Sequence, residues 1–169
     1  TQHAEATARM LLAEEGWEVT CTVGRDESLR RALESAASGR RLRADILGWT
    51  DRIPELLMTH HVVVSKAGGA TTQEAIAARC PMVVNQVVPG QEEGNCELLL
   101  RHSAGALATT PQAVIETLRG AFGQGGQGWA RWRQALESMA RPDAARVIAA
   151  QVLAASEGRR EREEARSSR

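Results

Sequence analysis

Short apolar runs alternate with amphipathic stretches along most of the chain. Several of the runs are near-continuous in apolar residues, with Val and Ile prominent, which is typical of strands covered on both faces of a sheet. Strands and helices that alternate in this way predict an α/β fold with a Rossmann-like, doubly wound parallel sheet. The five predicted strands are EVTCTV (18–23), RADILGW (43–49), HVVVS (61–65), CPMVVN (80–85) and GALAT (105–109).

The two ends of the chain depart from this alternation. The opening segment TQHAEATARMLLAEEGWEV begins inside an amphipathic helix, and no strand precedes it. We interpret this as a domain without its first strand, in a piece of a longer chain or in a domain that begins late. At the other end, residues 157–169 (EGRREREEARSSR) mix both charges, which favours disorder or a frayed helix end. The predicted organisation is a folded domain over 1–156 and a charged tail over 157–169.

A glycine-rich segment near the end, GQGGQG (123–128), has the spacing of a dinucleotide-binding fingerprint. That fingerprint requires a strand before it and a helix after it. Here the preceding segment, PQAVIETLRGAF, has a helical pattern. We therefore predict a flexible linker between two helices and reject the nucleotide site at this position.

Composition narrows the classes of function. At 169 residues the chain has the length of one domain. Basic and acidic residues are equal at 21 each, so net charge gives no general reason to bind nucleic acid. The three cysteines are odd in number and widely spaced, which fits neither a disulfide framework nor paired zinc ligands. Cys21 and Cys80 are predicted as buried free thiols, which favours a reducing cytoplasm. Neither a signal peptide nor a membrane-spanning run is visible.

The stretch SKAGGATTQEAIAARCPMVV (65–84) places a glycine turn between a strand and a helix. Gly68 and Gly69 permit close approach of the backbone, and Thr71 and Thr72 add hydroxyl groups. Together with the positive end of the helix, these groups suit a phosphate or diphosphate. The alternative is a plain turn with a threonine cap. Glu74 could accept hydrogen bonds from ribose hydroxyls or serve as an ordinary acid near the helix start.

Two further loops follow predicted strands. In VVPGQEEGNCELL (87–99), four polar side chains could recognise sugar hydroxyls, or could simply form a polar helix start; they are Gln91, Glu92, Glu93 and Asn95. In LGWTDRIPELL (47–57), Trp49 could stack on a base or pack as a core or rim tryptophan. Ligands of doubly wound folds bind at the carboxyl ends of strands, where all three loops are expected.

The segment from GWTDRIPELL to PGQEEGN resembles the donor-binding half of family 28 glycosyltransferases. Its motifs KAGG-T--E and PGQEEGN occur in the family's order and spacing. The similarity is greatest to diacylglycerol glucosyl- and galactosyltransferases, with the lipid II-forming N-acetylglucosaminyltransferase more distant. The resemblance implies the C-terminal half of a GT-B enzyme, which holds a UDP-sugar. The N-terminal domain of such enzymes binds the lipid acceptor and supplies the catalytic base.

The resemblance also implies roles for individual residues. Uracil would meet Gly48 and Trp49, and ribose would meet Glu74. The diphosphate would be held by Gly68, Gly69, Thr71 and Thr72. The sugar hydroxyls would be recognised by Gln91, Glu92 and Asn95. No cofactor or metal is expected, because the family works without one and no Asp-x-Asp motif is present; the His60–His61 pair is interpreted as a strand-edge feature. No catalytic base can be assigned within the chain.

The expected activity is a UDP-sugar-dependent, inverting hexosyl transfer to a lipid such as diacylglycerol, as in glycolipid biosynthesis. The lipid acceptor would be bound by a missing N-terminal domain or a separate subunit, and the isolated chain is expected to be inactive without it. We expect a cytoplasmic location, with peripheral contact at the inner face of the membrane as an open alternative. A stand-alone UDP-sugar-binding subunit and a fragment of an epimerase-like enzyme are the rival hypotheses.

Overall fold

The computed structural model describes the backbone of residues 3–167 and the side chains of residues 3–159. Helices and strands alternate along this part of the chain. The strands are β1 (Val19–Thr22), β2 (Ala44–Leu47), β3 (Val63–Lys66), β4 (Met82–Gln86) and β5 (Gly105–Leu107). The helices are α1 (Ala4–Ala13), α2 (Glu27–Ala37), α3 (Ile53–Thr59), α4 (Gly69–Ala78), α5 (Glu93–Arg101), α6 (Pro111–Met139) and α7 (Ala144–Ser167).

The strands form two parallel sheets. β1 pairs with β2, and β3, β4 and β5 form a three-stranded sheet in that order. Each predicted strand is confirmed within two residues at either end, as is the α/β class. The single continuous sheet expected from the sequence is not observed. Within the described residues, β1 and β3 each pair with a strand on one edge only.

The three-stranded sheet holds the main core. Successive side chains of β4 alternate between its two faces: Met82 packs in a cluster with α4, α5 and the end of α6, whereas Val83 packs in a cluster with the start of α6. Both side chains, and that of Val84, are fully buried. Leu11 of α1 contributes to the second cluster. Both faces of this sheet are therefore covered by helices, as in a doubly wound arrangement.

The two-stranded sheet is covered less completely. None of the residues of β1 or β2 is fully buried, so the prediction of strands covered on both faces is wrong for this pair. In the N-terminal segment from α1 to β2, the buried leucines are Leu12 of α1 and Leu33 of α2. The three cysteines are free thiols; Cys80 and Cys96 are buried, but Cys21 is only half-buried, which corrects the expectation for that residue. An ion pair of 2.8 Å between Glu14 and Arg119 joins α1 to α6.

The glycine-rich segment interrupts α6. Gly123, Gln124, Gly125 and Gly126 have non-helical backbone angles, with φ between 50° and 78° at the last three, so a break between two helices is confirmed over 123–126, the first four residues of the predicted linker. The last helix, α7, continues to Ser167, and residues 168 and 169 of the predicted tail lie outside the described residues. The division at residue 156 stays a prediction. In the described part of the chain, no helix combines the length and apolar character needed to cross a membrane.

Candidate functional site

The loop after β3 leads directly into α4. Gly68 is the N-terminal cap of that helix, with φ −65° and ψ 140°, and no side chain caps it. The threonine cap considered above is therefore not formed. The first N–H groups of a helix have no partner inside it, and here Gly69, Ala70 and Thr71 present such groups at the positive end of the helix dipole. This arrangement can accept an anion.

The remaining side chains of α4 lie at different depths. Thr71 is half-buried, whereas Thr72 is fully buried and its hydroxyl points at the Met82 sulfur at 3.9 Å. Thr72 therefore packs into the core. Glu74 is exposed in the second turn of the helix, and no polar partner for its carboxylate is found among the described residues. Its carboxylate is available to a ligand.

The loop after β4 is tied to the loop after β3. Glu92, which precedes α5, is 4% exposed. One of its carboxylate oxygens pairs with the Lys66 ammonium, and the other accepts a hydrogen bond of 2.9 Å from the Val88 N–H. The bonds from Lys66 and Val88 lower the pKa of Glu92. The Asn95 amide donates to the Ala67 carbonyl at 2.9 Å.

The two other residues of this loop are more accessible. Gln91 is exposed, and Glu93 is exposed while accepting a hydrogen bond of 2.8 Å from the Gly90 N–H. The structure thus brings the loops after β3 and β4 together. The polar residues of the loop after β4 fall into two groups, those bonded to protein groups and those open to solvent. Glu92 and Asn95 bond to protein groups, whereas Gln91 faces solvent.

The third predicted loop follows β2, in the other sheet. A Cβ added to Gly48 would lie 3.4 Å from the Gly24 carbonyl, so this residue closely approaches the loop after β1. Trp49 is 71% exposed. It is not a core tryptophan, and its indole face is open to a planar ligand.

The two adjacent histidines have protein partners. His60 contacts the Thr20 hydroxyl and the Leu56 carbonyl, each at 2.8 Å. The His61 ring packs edge-on against Trp129, with ring centres 5.4 Å apart. Within the part of the chain that the structure describes, no group of three His, Cys, Asp or Glu residues could hold a metal ion.

Lys66 was not selected from the sequence as a site residue, although the KAGG motif contains it. The structure places its ammonium between the two loops, paired with Glu92. The signal that could have identified it is its position: a basic side chain directly before a glycine turn that suits an anion. The sequence did not identify Lys66 and Ala67 as partners of Glu92 and Asn95 in this way, because they come from another loop.

Comparison with known proteins finds similar sequences among glycolipid-forming enzymes. The chain is 31% identical over 101 residues to the processive diacylglycerol beta-glucosyltransferase of Staphylococcus carnosus, which covers 60% of this chain and 26% of that protein. It is 27% identical over 148 residues to the chloroplastic monogalactosyldiacylglycerol synthase of Spinacia oleracea, covering 83% of this chain and 28% of the synthase. The chain thus spans about a quarter of the length of these relatives. No family model matches it.

Solved structures of glycosyltransferases have a similar fold. The glycosyltransferase of kitacinnamycin aligns with a TM-score of 0.59 and 16% identity, over 89% of this chain and 39% of that protein. SnogD from Streptomyces nogalater aligns with a TM-score of 0.52 and 21% identity, over 83% and 38%. The fold prediction is confirmed as the Rossmann-like α/β fold of GT-B glycosyltransferases. The predicted resemblance to family 28 diacylglycerol glycosyltransferases is confirmed as well, over part of their length.

Proposed function

We propose that this chain is the donor-binding domain of an inverting glycosyltransferase that moves a hexose from a UDP-sugar to a lipid acceptor such as diacylglycerol. The observation that carries the proposal is the uncapped start of α4 at Gly68, beside a second polar loop after β4. An anionic diphosphate complements those N–H groups. The sequence similarity to diacylglycerol glycosyltransferases favours a nucleotide-sugar as its source.

The proposed contacts follow the three loops. Trp49 and Gly48 meet the uracil ring, and the exposed carboxylate of Glu74 accepts from the ribose hydroxyls. The backbone N–H groups of Gly69 and Thr71 hold the diphosphate, with the Gly68 turn allowing close approach. The sugar lies against the loop after β4, where Gln91 is the exposed polar side chain of the predicted set. The burial of Thr72 supports a packing role for its side chain.

In the proposed reaction, an acceptor hydroxyl oxygen forms a bond to the anomeric carbon of the sugar. The bond from that carbon to the diphosphate oxygen breaks, and its electron pair leaves with UDP. The start of α4 stabilises the negative charge that grows on the diphosphate, since its N–H groups are already oriented toward it. The proton of the acceptor hydroxyl goes to a base that another domain or subunit supplies. The residues near the α4 start are proposed to act without a bound metal.

The proposed lipid acceptor sets the wider context. A lipid is presented at a membrane surface, so the whole enzyme would work in the cytoplasm in peripheral contact with the membrane. Both the acceptor-binding domain and its lipid contacts would lie outside this chain, in a longer protein or in a separate subunit. Nucleic acid is not expected as a partner, because basic and acidic residues are balanced.

Calorimetric titration tests the proposal. We expect the chain to bind UDP, and to bind at least one of UDP-glucose, UDP-galactose and UDP-N-acetylglucosamine more tightly than UDP. Binding to none of them would reject the proposed function. Conversion of UDP-N-acetylglucosamine without any acceptor would instead support the epimerase-like alternative. Activity that appears only on adding a separate acceptor-binding protein would support the subunit alternative.

The ribose contact has its own test. We expect Glu74→Ala to weaken UDP binding by about 1–3 kcal/mol, the scale of a lost hydrogen bond to a charged group. The control is Glu137→Ala, which removes an exposed carboxylate from α6 and should leave the affinity unchanged. Equal UDP affinities for wild type and Glu74→Ala would show that Glu74 does not bind the ribose.

A further inference from the structure

The contact between Lys66 and Glu92 joins two loops that the sequence assigned to different parts of a ligand. Lys66 is the last residue of β3, at a shift in the pairing register between Ser65 and Lys66. Glu92 lies just before α5. The Glu92 side chain is 5% exposed, whereas that of Lys66 is 47% exposed. The carboxylate is therefore enclosed by protein, and the ammonium remains partly open to solvent.

A second bond strengthens this connection. The Asn95 side chain, in the first turn of α5, donates a hydrogen bond of 2.9 Å to the carbonyl of Ala67, the residue that follows Lys66. A Cβ added to Gly69 would lie 3.8 Å from the same Asn95 nitrogen, so the amide packs directly beneath the start of α4. Two residues at the start of α5 thus fix the loop after β3: Asn95 bonds its backbone at Ala67, and Glu92 pairs with its charged side chain, Lys66.

The position of the Lys66 ammonium points to its use. Its Nζ and the Glu92 Oε1 that pairs with it each lie 3.7 Å from the place where a Cβ on Gly68 would be, at the cap of α4. The ion pair therefore lies beside the unpartnered N–H groups of Gly69 to Thr71, and the ammonium is its more exposed member. An ammonium has three donors, and Glu92 is the one protein group that pairs with it in the described contacts. Of the 21 basic side chains in the sequence, Lys66 is the one lysine.

We propose that Lys66 binds the diphosphate of the donor, and that Glu92 and Asn95 position Lys66 and the Gly68 turn instead of contacting the sugar. The inference rests on the proposed function. The Glu92 carboxylate is 5% exposed, and each of its oxygens already accepts a bond from a protein group, so a sugar hydroxyl could reach the remaining lone pairs only if the surrounding protein moved aside. Gln91, which is exposed on the same loop, recognises the sugar without such a loss.

Titration with three ligands distinguishes the two possible roles of Glu92, which are to position Lys66 or to contact the sugar. The ligands are uridine, UDP, and the UDP-sugar that wild type binds most tightly. We expect Lys66→Met to weaken UDP binding about tenfold or more, the scale of a lost charged hydrogen bond, and to leave uridine binding unchanged. Lys66→Arg should recover part of the lost affinity, because it keeps the positive charge.

Glu92→Gln should weaken UDP binding by a smaller factor, about three- to tenfold. The ratio of UDP-sugar affinity to UDP affinity should stay at the wild-type value, because Glu92 does not touch the sugar. Gln91→Ala should do the opposite: it should lower that ratio and leave UDP binding unchanged. A Glu92→Gln variant with normal UDP binding and a reduced ratio would assign Glu92 to the sugar and overturn the proposal.

The controls distinguish the possible failures. Arg101→Met removes one partner of an exposed ion pair with Glu97 at the far end of α5, and should bind all three ligands like wild type. Equal thermal unfolding midpoints exclude misfolding as the cause of weak binding. If wild type binds none of the nucleotides, the proposed function fails. If wild type binds UDP and Lys66→Met binds it equally well, only the present inference fails.

The single lysine also permits a test without substitution. An amine-acylating reagent should modify Lys66 and the α-amino group of the expressed chain, and mass spectrometry can quantify each. We expect saturating UDP to slow the modification of Lys66 severalfold and uridine to have no such effect, while the α-amino rate stays constant in both. Equal rates of Lys66 modification with and without UDP would contradict the contact.

Discussion

The strands of the two sheets differ sharply in burial. In β4, Met82, Val83 and Val84 are fully buried. In β1 and β2, no residue reaches that state. β4 pairs with a strand on each edge and has helices on both faces, whereas β1 pairs on one edge only. β3 also begins with two valines, but it pairs on one edge only and is not fully buried, so the burial of an apolar strand depends on its neighbours in the fold as well as on its composition.

The difference bears on where the candidate site lies. The loops that bond to each other follow β3 and β4, in the three-stranded sheet, and Gly48 and Trp49 follow β2 in the other. A site for a charged ligand needs groups held in fixed positions, which packed elements provide better than partly covered ones. The proposed diphosphate contacts thus lie beside the well-packed three-stranded sheet, and the proposed uracil contact lies beside the less covered two-stranded sheet.

The largest expected contrast is between two buried leucines. Leu136 packs in the core cluster around Met82, and Leu33 is buried in α2 beside the two-stranded sheet. We expect Leu136→Ala to lower the free energy of unfolding by about 3–5 kcal/mol, and Leu33→Ala by about 2–3 kcal/mol, since less constrained surroundings can move into the space. Urea unfolding followed by tryptophan fluorescence measures both. An equal or larger loss for Leu33→Ala would show that the two halves are packed alike.

A smaller contrast concerns two glycines. A Cβ on Gly105 of β5 would collide with the Met82 carbonyl of β4, whereas a Cβ on Gly16, between α1 and β1, would have no atom within 4 Å. Gly105→Ala should cost about 1–3 kcal/mol, because the paired backbones must separate. Gly16→Ala should change the free energy of unfolding by no more than about 0.5 kcal/mol. A Gly105→Ala variant as stable as wild type would mean that β5 can shift away from β4.

The smallest contrast is between Cys21, in the two-stranded sheet, and Cys80, which lies just before β4 of the three-stranded sheet. Burial raises the pKa of both the Cys21 and the Cys80 thiols to about 11, so at pH 8 each is a thiolate for roughly a thousandth of the time. Both should therefore react slowly with a neutral alkylating reagent in the folded protein. We expect the less covered two-stranded sheet to open locally more easily than the three-stranded sheet. If its free energy of opening is lower by about 1.4 kcal/mol, Cys21 should react about tenfold faster than Cys80. Mass spectrometry of the alkylated peptides gives both rates.

The denatured chain is the control for that measurement, and there the two rates should be similar. A Cys80 that reacts as fast as Cys21 in the folded protein would indicate that the halves open together. A Cys80 that reacts faster would reverse the comparison, and would place the weaker packing in the three-stranded sheet.

The sequence was sufficient to identify the elements. The short apolar runs located all five strands, because an apolar run bounded by turn residues has few other structures available. The glycines at 123–126 located the break in α6, since three successive residues there adopt positive φ. The motifs after β2, β3 and β4 indicated the resemblance that the comparisons confirm. These are local signals, each contained within a few consecutive residues.

Only the tertiary structure decided how those elements meet. It separated the strands into two sheets, it turned the Thr72 hydroxyl toward Met82, and it enclosed the Glu92 carboxylate against Lys66. Glu92 and Gln91 are neighbours in one motif, yet one is buried and the other exposed. Their difference depends on a lysine 26 residues away in the sequence. Contacts between distant residues follow from packing, which local composition and spacing do not specify.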